Sequence, residues 1–268
     1  MEILILIAVL LLLLALDTRL VVRTYQVQAG LDTPLRIVVL ADHHSSRYGR
    51  EQEQLLACIR AQKPDLILMP GDMADDKRNN HELEHLFRGL QGYTSYYVTG
   101  NHEARRSADM QGVKDMAARY GITVLTDEVV SVKVKGQTLL IGGIEDPENA
   151  KHQKPAYDHK AAMETTFADV AASPGYRILL AHKPHFIDDY AKYGFDLVVS
   201  GHTHGGQVVL PGLVNGLYAP GQGIFPRLAG GLYRRGDTTM IVSRGLARRF
   251  FHLPRVFNRP EVVVIELG

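Results

Sequence analysis

An uninterrupted apolar run occupies the start of the chain, from Ile3 to Leu16. A helix buried in a globular domain normally carries polar side chains along one face, and this run carries none. A secretory signal would need a positively charged segment before the run and a small-residue cleavage site after it, and neither is present. At about 1.5 Å per residue the run is shorter than a hydrocarbon core of about 30 Å, but continuing to Val22 supplies the length. The pattern predicts an apolar helix that anchors residues 1–23 in a membrane.

The residues after this run indicate an orientation for the rest of the chain. Arg19 and Arg23 follow the apolar segment. The positive-inside rule then predicts that the remaining chain lies on the cytoplasmic side of the membrane. Residues 24–34 are predicted to link the anchor to one globular domain over residues 35–268, since chains of this length commonly form a single unit.

Beyond residue 34, apolar runs of strand length alternate with helical stretches. The alternation predicts strands over 36–40, 65–69 and 96–98, and helices over 47–63, 79–90 and 104–120. This order of strand and helix is typical of an α/β domain with largely parallel strands.

The second half of the chain has more strands and fewer helical stretches. Two predicted strands, 129–134 and 138–141, flank Lys135-Gly136, a pair with glycine in the second place that is typical of a hairpin. Further strands are predicted over 178–181, 197–200, 207–210, 239–243 and 262–266. The whole pattern predicts an α/β fold, a two-sheet β-sandwich flanked by helices and preceded by the N-terminal apolar helix.

Composition excludes some kinds of protein and leaves others open. The chain has 268 residues, of which 46% are hydrophobic and 22% charged, which is ordinary for a globular protein. The net charge of +1 favours neither nucleic acid nor membrane as a partner, no nucleic-acid-binding module is evident, and nothing indicates an oligomeric state. A single cysteine, Cys58, excludes a disulfide framework within the chain and cysteine-rich zinc sites.

Polar clusters directly follow several of the predicted strands. In open α/β sheets, ligands bind beyond the carboxyl ends of strands, so these clusters are expected to converge at one sheet edge. They contain Asp42 and His44, Gly71-Asp72, Gly100-Asn101-His102-Glu103, His182, and Gly201-His202-Thr203-His204.

The residue types in these clusters fit metal chemistry. Aspartate, asparagine and histidine without thiolate suit divalent ions such as Mn, Fe, Zn or Ni. In Asp-x-His and His-x-His, alternate side chains of an extended segment lie on the same side and can approach one metal. Asp72 could bridge two cations, and two cations about 3.5–4 Å apart can hold a hydroxide between them and bind the attacked phosphate.

The ordered series of motifs resembles the calcineurin-like metallophosphoesterase superfamily. That family carries D-x-H, G-D-x-x-D, G-N-H-D/E, a lone histidine and G-H-x-H, and the resemblance covers residues 35 to about 210. The remainder, including Ser243-Arg244-Gly245-Leu246, resembles the bacterial membrane-associated phosphodiesterase branch. The matching residues are Asp42-His43-His44, Gly71-Asp72-Met73-Ala74-Asp75, Gly100-Asn101-His102-Glu103, His182 and Gly201-His202-Thr203-His204. His43 is unusual for the family and receives no role.

The resemblance implies a role for each of these residues. One metal would be bound by Asp42, His44 and His204, the other by Asn101, His182 and His202, and Asp72 would bridge both. His102 would hydrogen-bond the phosphate or protonate the leaving group, a task that suits a group with an ordinary pKa of about 6.5. Asp75 and Glu103 would orient a ligand or His102.

Two alternatives come from other classes of protein. His81-Glu82-Leu83-Glu84-His85 matches H-E-x-x-H, the zinc metalloprotease signature. At about 100° per residue the leucines and Phe87 share one arc of this helix and the histidines lie on the opposite side, so the histidines are expected to face water. A non-catalytic membrane-bound scaffold is the other alternative, although no ligand position of the family is missing.

The chemistry is better defined by the sequence than the substrate is. Phosphodiesters, diphosphates and phosphomonoesters all suit a two-metal site, and a membrane-associated or lipid-linked diester or diphosphate is favoured. The apolar N-terminus supports this preference, as does the basic and aromatic segment 227–259. Arg248, Arg249 and Arg255 in that segment are expected to contact substrate or anionic headgroups.

Overall fold

The computed structural model describes residues 1–106, 109–152, 154, 156–250 and 253–268, without the side chains of residues 249, 250 and 253. One six-stranded sheet is formed by both ends of the globular domain. In spatial order its strands are β1 (Val21–Val27), β16 (Glu261–Leu267), β2 (Leu35–Val39), β3 (Leu66–Pro70), β4 (Ser95–Val98) and β5 (Thr123–Val124). Strands β2 to β5 are parallel to one another, and β16 is antiparallel to β2 and parallel to β1.

The second six-stranded sheet contains most of the strands from the second half of the chain. In spatial order they are β12 (Gly231–Arg235), β13 (Thr238–Val242), β9 (Leu197–Ser200), β8 (Tyr176–Ala181), β7 (Gln137–Ile144) and β6 (Glu128–Val134). Strands β13, β9, β8 and β7 are parallel, and an antiparallel strand closes each edge. The β6–β7 hairpin turns at Lys135-Gly136, as predicted, with positive φ at both residues.

The two sheets pack face to face and are covered by helices on their outer sides. Side chains alternate along each strand, so Ile37 lies in the core between the sheets while Val38 packs beneath helices. Leu179 of the second sheet packs outward against the helical residue Met163. This arrangement confirms the predicted α/β sandwich flanked by helices.

Helices form at the predicted places, but their first and last residues differ from the predicted ones. They are α1 (Glu2–Ala15), α2 (Glu53–Gln62), α3 (His81–Gly89), α4 (Asn101–Arg105), α5 (Met110–Arg119), α6 (Asn149–His152), α7 (His159–Thr166) and α8 (Ile187–Tyr190), with short 3₁₀ turns at 50–52, 170–172, 184–186, 191–193 and 204–206. The single helix predicted over 104–120 is divided into α4 and α5. Helix α7 was not predicted, although Asp158 caps it by accepting hydrogen bonds from the backbone of Lys160 and Ala161.

The N-terminal region differs from the prediction in two respects. Helix α1 forms within the apolar run but ends at Ala15, and β1 takes up residues 21–23 of the predicted anchor as well as 24–27 of the predicted link. These bounds were predicted wrongly because β1 pairs along its whole length with β16, the last strand in the chain. Among the residues that the structure describes, none of the helices combines the length and apolar character that crossing a membrane requires.

Two pairs of very short strands complete the described part of the chain. Strands β10 (Tyr218–Ala219) and β11 (Gly223–Ile224) form one hairpin, and β14 (Arg249–Phe250) and β15 (Leu253–Pro254) form the other. The strand predicted over 207–210 is absent: only isolated bridges involve Val208 and Leu210. Gly205, Gly206 and Gln207 all have φ near +64°, which breaks the extended conformation immediately before it.

Candidate metal centre

Five strands of the two sheets end at the same edge of the sandwich, and a polar cluster follows each of them. β2, β3 and β4 run parallel in one sheet, and β8 and β9 run parallel in the other. Backbone hydrogen bonds hold the loops together where they leave the strands: the N–H of Asp42 donates to the carbonyl of Gly71 at 3.1 Å, and that of Gly201 donates to the carbonyl of His182 at 3.1 Å. Residues far apart in sequence therefore meet here.

Asp42, His44 and His204 form the first group of possible ligands. One carboxylate oxygen and two ring nitrogens of these buried residues all lie within 4.8 Å of one another. The Nε2 atoms of His44 and His204 are 3.3 Å apart, and Nε2 of His204 is 4.0 Å from Oδ1 of Asp42. This is the set that the family resemblance implies for one metal.

Asp72, His182 and His202 form the second group, again with all donor atoms within 4.8 Å of one another. Nε2 of His182 is 3.1 Å from Oδ2 of Asp72 and 3.2 Å from Nδ1 of His202. Nδ1 of His182 lies 2.8 Å from the carbonyl oxygen of Pro70, which can only accept, so Nδ1 is the donor. Nε2 is then the ring nitrogen directed towards Asp72, and it can bind a metal once it gives up its proton.

The carboxylate of Asp72 lies between the two groups. Its Oδ2 is 3.1 Å from His182 of the second group and 3.6 Å from Nε2 of His44 of the first. Its Oδ1 accepts a hydrogen bond from the backbone N–H of His102 at 2.8 Å. One oxygen of Asp72 is thus held by the backbone while the other faces both groups, which is the position of a bridging ligand.

Several ligand residues have a left-handed backbone, which is uncommon outside glycine. Asp42, His44, Asp72, His202 and His204 have φ of 50°, 47°, 53°, 71° and 49°. Such conformations cost on the order of 1–3 kcal/mol each and cluster at functional sites, where the surrounding structure maintains them. They turn each side chain out of its strand towards the centre.

Glycine is required beside two of the carboxylates. A Cβ atom on Gly100 would lie 2.3 Å from Oδ1 of Asp72, and one on Gly201 would lie 2.6 Å from Oδ2 of Asp42. Any larger residue at these positions would displace a carboxylate, so the glycines of the Gly-Asn-His and Gly-His motifs are explained by close approach.

Burial and mutual repulsion determine the ionisation of the centre without metals. Burial raises the pKa of Asp42 to about 6. Burial lowers the pKa values of His202 and His204 well below the usual range, and the neighbouring His182 and His44, respectively, lower them further. Burial also opposes a charge on His182, but the Asp72 carboxylate outweighs it and raises the pKa of His182 to about 10. A proton on His182 therefore occupies the position where a cation would bind.

The residues present fit a pair of divalent cations. Oδ1 of Asn101 is buried and has no hydrogen-bond partner among the described residues, as expected of a ligand oxygen. The imidazole nitrogens of His44 and His204 converge to within 3.3 Å, which a shared positive charge would stabilise. Oxygen and imidazole donors without thiolate suit Mn, Fe, Zn or Ni.

His102 lies next to this centre but interacts with a different acidic residue from those predicted. Its Nδ1 is 3.0 Å from Oδ1 of Asp76, and its ring packs edge-on against His44 with 4.3 Å between centroids. Asp75 instead has Oδ2 at 3.6 Å from Nδ1 of His44, so the ring it contacts is that of a candidate ligand. Sequence analysis missed Asp76, although it adjoins the predicted Asp75.

Glu103 supports the backbone of the site rather than a side chain. Its buried carboxylate accepts hydrogen bonds from the backbone N–H groups of Asp72 at 3.0 Å, Gly100 at 2.8 Å and Ala74 at 2.8 Å. These contacts join the loops after β3 and β4. The expected orienting role is therefore exerted on the two loops that hold Asp72 and Asn101.

A cavity of about 300 Å³ opens beside the centre and reaches Asp72, Asn101, His102, His202 and His204. Its wall contains the charged residues Arg105, Glu148 and Lys183 and the imidazole of His185, all of which sequence analysis missed. Lys183 Nζ is 3.0 Å from Asp146 Oδ1 and 3.5 Å from Glu148 Oε1, and Glu148 also pairs with Arg105. The one sequence signal for these wall residues was the position of Lys183 directly after His182.

The arginines expected to contact substrate or membrane have different environments. Arg255 is buried, so the prediction that it contacts headgroups is wrong: its guanidinium donates to the backbone carbonyls of Ala247 at 2.6 Å, Arg244 at 2.7 Å and Gly245 at 3.3 Å. Arg248 is half-buried, with its guanidinium 4.6 Å from the ring centroid of Tyr48. The side chain of Arg249 lies outside the described part of the chain.

Replacing Arg255 with alanine is expected to lower the free energy of unfolding by about 2–4 kcal/mol, because several buried carbonyls lose a charged donor at once. Urea denaturation of the purified protein measures this change. Arg227→Ala is the matched control, since Arg227 is exposed and a surface substitution should stay within about 0.5 kcal/mol. Equal unfolding midpoints for the two variants would show that the buried contacts of Arg255 do not stabilise the fold.

The H-E-x-x-H segment lies on α3, where Leu83, Leu86 and Phe87 are buried and His81 is exposed. His85 is half-buried, and its ring packs against that of His81 with 4.3 Å between centroids. Within the described residues, neither histidine belongs to a group that could hold a metal or lines the cavity. The geometry of this segment does not favour the metalloprotease alternative.

Comparison with known proteins identifies the class of protein that this fold and site define. Residues 35–206 match the calcineurin-like phosphoesterase family model, so the chain belongs to this family.

Curated relatives align with most of the chain. The uncharacterized metallophosphoesterase YkoQ of Bacillus subtilis is 29% identical over 233 residues, covering 85% of this chain and 82% of that protein. The phosphodiesterase YaeI of Escherichia coli is 28% identical over 240 residues, covering 87% and 82%.

Solved structures share the fold at low identity. The Thermus thermophilus protein TT1561 has a TM-score of 0.54 at 13% identity, covering 81% of this chain and 92% of that one. Sulfate thiohydrolase SoxB, also of Thermus thermophilus, has a TM-score of 0.51 at 14% identity. It covers 87% of this chain, which spans only 56% of SoxB.

Proposed function

We propose that this protein is a phosphodiesterase or diphosphate hydrolase that depends on two divalent cations and acts on a membrane-associated or lipid-linked substrate. The observation that carries the proposal is the pair of ligand groups that face one carboxylate, Asp72, at the side of a cavity that also contains His102. A single-metal or structural site would not need a carboxylate shared between two such groups.

Each cation would be held by one of the two groups of side chains described above. Asp42, His44 and His204 would hold one, Asn101, His182 and His202 the other, and Asp72 both. When bound, such cations supply Lewis acidity towards the phosphate oxygens and lower the pKa of a coordinated water. Asp75 contacts Nδ1 of His44, and the Pro70 carbonyl accepts a hydrogen bond from Nδ1 of His182. These contacts fix the orientation of the two imidazole rings.

His102 is the group beside the centre that is suited to the leaving group. Asp76 holds its Nδ1 at 3.0 Å, which orients the ring and leaves Nε2 to donate to a phosphate oxygen or to the departing alkoxide. Burial lowers the pKa of His102, and the Asp72 carboxylate opposes that effect. Because its ring is held on the cavity wall, His102 can act on a substrate oxygen without occupying a metal position.

The charge of the cavity wall supports a diester rather than a monoester. Lys183 and Arg105 already pair with Asp146 and Glu148, so little positive charge on this wall is left unbalanced. A diester carries one negative charge at neutral pH and needs less compensation than a monoester dianion. The relative YaeI bears the name phosphodiesterase, which is consistent with this preference.

A lipid part in the substrate is supported by helix α1, whose leucines and isoleucines are exposed along its length. We place this helix in a membrane and the domain on its cytoplasmic side, following the two arginines that come after it. A phosphomonoesterase of the same fold is the second candidate, since the metal-ligand groups alone suit either ester.

A panel of substrates tests the proposal. A soluble aryl phosphodiester, a nucleoside diphosphate ester and an aryl phosphomonoester would each be assayed with Mn, Mg, Zn and Ni. We expect kcat/KM to be at least about tenfold higher for a diester or diphosphate than for the monoester, a difference of about 1.4 kcal/mol in transition-state binding. Equal or higher values for the monoester would favour the second candidate, and no hydrolysis with any metal would reject both.

A further inference from the structure

The exposed apolar side chains outside α1 and its two flanking residues are concentrated in one region of the described chain. Large apolar residues with more than a third of their surface exposed occur there only between residues 210 and 257. Most belong to the segment 210–225, named here the apolar loop: Leu210, Leu213, Leu217, Tyr218, Ile224 and Phe225. Leu213 is 85% exposed, Ile224 69% and Phe225 64%. A cluster of this kind marks an interaction surface rather than the scattered exposure found on every protein.

The apolar loop has a defined structure that presents these side chains together. Tyr218 and Ile224 are direct partners in the β10–β11 hairpin, so their side chains project from the same face. The N–H of Phe225 donates to the carbonyl of Leu217 at 2.8 Å, and Phe225 has a φ of 56°, a strained value for an aromatic residue. The hairpin holds a large apolar ring outward in an unfavourable backbone conformation.

The apolar loop is connected directly to the catalytic centre. The N–H of Leu217 donates to the carbonyl of Gly206 at 2.8 Å, two residues after the ligand His204. Tyr218, Pro220 and Gly221 line the same cavity as His102 and Asp72. One side of the loop therefore forms the cavity wall while its exposed residues extend the rim.

The base of the loop lies next to the end of α1. The N–H of Val209 donates to the carbonyl of Val256 at 2.9 Å, and the N–H of the next residue, Phe257, donates to the carbonyl of Ala15 at 2.7 Å. Adjacent residues of one segment thus join the apolar loop to the last turn of the apolar helix. The two exposed apolar elements are neighbours in space.

Helix α1 indicates what covers this region. Its consecutive residues Ile3 to Leu6 are each more than half exposed, and at about 100° per residue four such positions surround the whole helix. A protein partner with a groove would cover one face, whereas acyl chains surround a helix on all sides. Arg227, which follows the apolar loop, is exposed and can meet anionic headgroups.

We propose that the apolar loop inserts into the surface of a lipid bilayer beside α1 and thereby places the mouth of the cavity at the level of the headgroups. The substrate class that follows is an amphiphile whose phosphate ester or diphosphate lies in the headgroup layer, a step that rests on the proposed function. The inserted residues are Leu213, Ile224 and Phe225, while Tyr218 stays at the cavity rim. Arg255, buried away from the surface, has no part in this contact.

A single tryptophan reports on insertion, because the chain contains none. Phe225→Trp in the full chain would be reconstituted in vesicles of phosphatidylcholine and phosphatidylglycerol, with and without brominated acyl chains. We expect its emission to shift to shorter wavelength and to lose intensity on the brominated lipid. Tyr120→Trp is the matched control: Tyr120 follows α5 and precedes β5, so it lies at the amino end of a strand parallel to β4, whereas the site follows the carboxyl ends. Its emission should show neither change.

Leu213→Gln/Ile224→Gln/Phe225→Gln supplies a second measurement. The ratio of kcat/KM on a vesicle-embedded phosphodiester to that on a soluble aryl phosphodiester should fall about tenfold or more, because three apolar side chains no longer enter the bilayer.

Three outcomes of these experiments separate insertion from its alternatives. Tryptophan emission of Phe225→Trp that brominated lipid leaves unquenched would overturn the proposal. The proposal would also be overturned if Phe225→Trp formed a dimer without lipid and its tryptophan emitted at short wavelength in that dimer. The loop would then be a surface for self-association. Quenching of Phe225→Trp by brominated lipid, in a protein that hydrolyses no phosphoester, would leave insertion standing and reject the proposed function.

Discussion

Replacing Asp72 with asparagine is expected to lower phosphoester hydrolysis by at least about 10³-fold and to reduce the bound metal. Oδ2 of Asp72 lies 3.1 Å from Nε2 of His182 and 3.6 Å from Nε2 of His44, so one atom serves both ligand groups. An amide has no negative charge to offset two neighbouring cations, and its NH₂ group would face imidazole nitrogens that are needed for the metals. Steady-state kinetics and metal analysis of the purified protein measure the two effects.

Glu82→Gln is the control for this substitution, because it removes the carboxylate of the H-E-x-x-H segment. Glu82 accepts a hydrogen bond from Gln52 at 2.9 Å, and within the described residues it is not part of a metal-capable group. We expect Glu82→Gln to retain activity and metal content. Loss of activity in Glu82→Gln together with full activity in Asp72→Asn would reverse the assignment and make α3 the catalytic element.

The meeting of the candidate ligands at one edge of the sandwich could be predicted because these residues follow directly after strands. Each ligand cluster follows an apolar run, and strands that run parallel within a sheet bring such ends to one edge. The sequence pattern identified the strands before Asp42, Asp72, Asn101, His182 and His202 to within a residue or two of their observed ends. A local pattern, an apolar strand followed by a polar turn, was therefore enough to predict that widely separated residues meet at one site.

The orienting residues could not be assigned with the same certainty, because they lie in turns without periodicity. Asp75 and Asp76 are adjacent, yet one contacts His44 and the other His102. Nothing in a pattern of polar residues determines which of two neighbouring carboxylates faces which ring. That choice depends on the φ values of the loop after β3, which begins with 89° at Gly71 and 53° at Asp72.

Long-range pairing explains the remaining errors. β1 forms because residues near position 24 meet β16, which begins at Glu261. Arg255 reads as a surface residue in a basic segment, but the chain folds back and supplies backbone carbonyls from residues 244–247 as acceptors. Such acceptors are invisible in sequence since every residue carries one. The same loop packs Gly245 against the Cβ of Asp42, so the error concerned a segment that supports the metal centre.

Replacing His102 with alanine is expected to lower kcat by about 10²–10⁴-fold while leaving the metal content close to that of the parent protein. His102 lies within the cavity, but Asp76 holds its Nδ1 and its backbone N–H is bonded to Oδ1 of Asp72. The alanine variant retains the backbone contact to Asp72 and loses only the ring. Turnover and metal content should therefore separate, as they would not for His182 or His202.

Asp76→Asn distinguishes positioning from direct participation. The amide can still contact His102 but provides a neutral partner, and we expect kcat to fall by about 10–100-fold, less than in His102→Ala. The double variant should be no slower than His102→Ala alone, because Asp76 acts only through the ring. If His102→Ala lost metal in proportion to activity, His102 would be a ligand. Donor atoms of His44, Asp75 and His102 also lie within 4.8 Å of one another, and this group would then hold that metal.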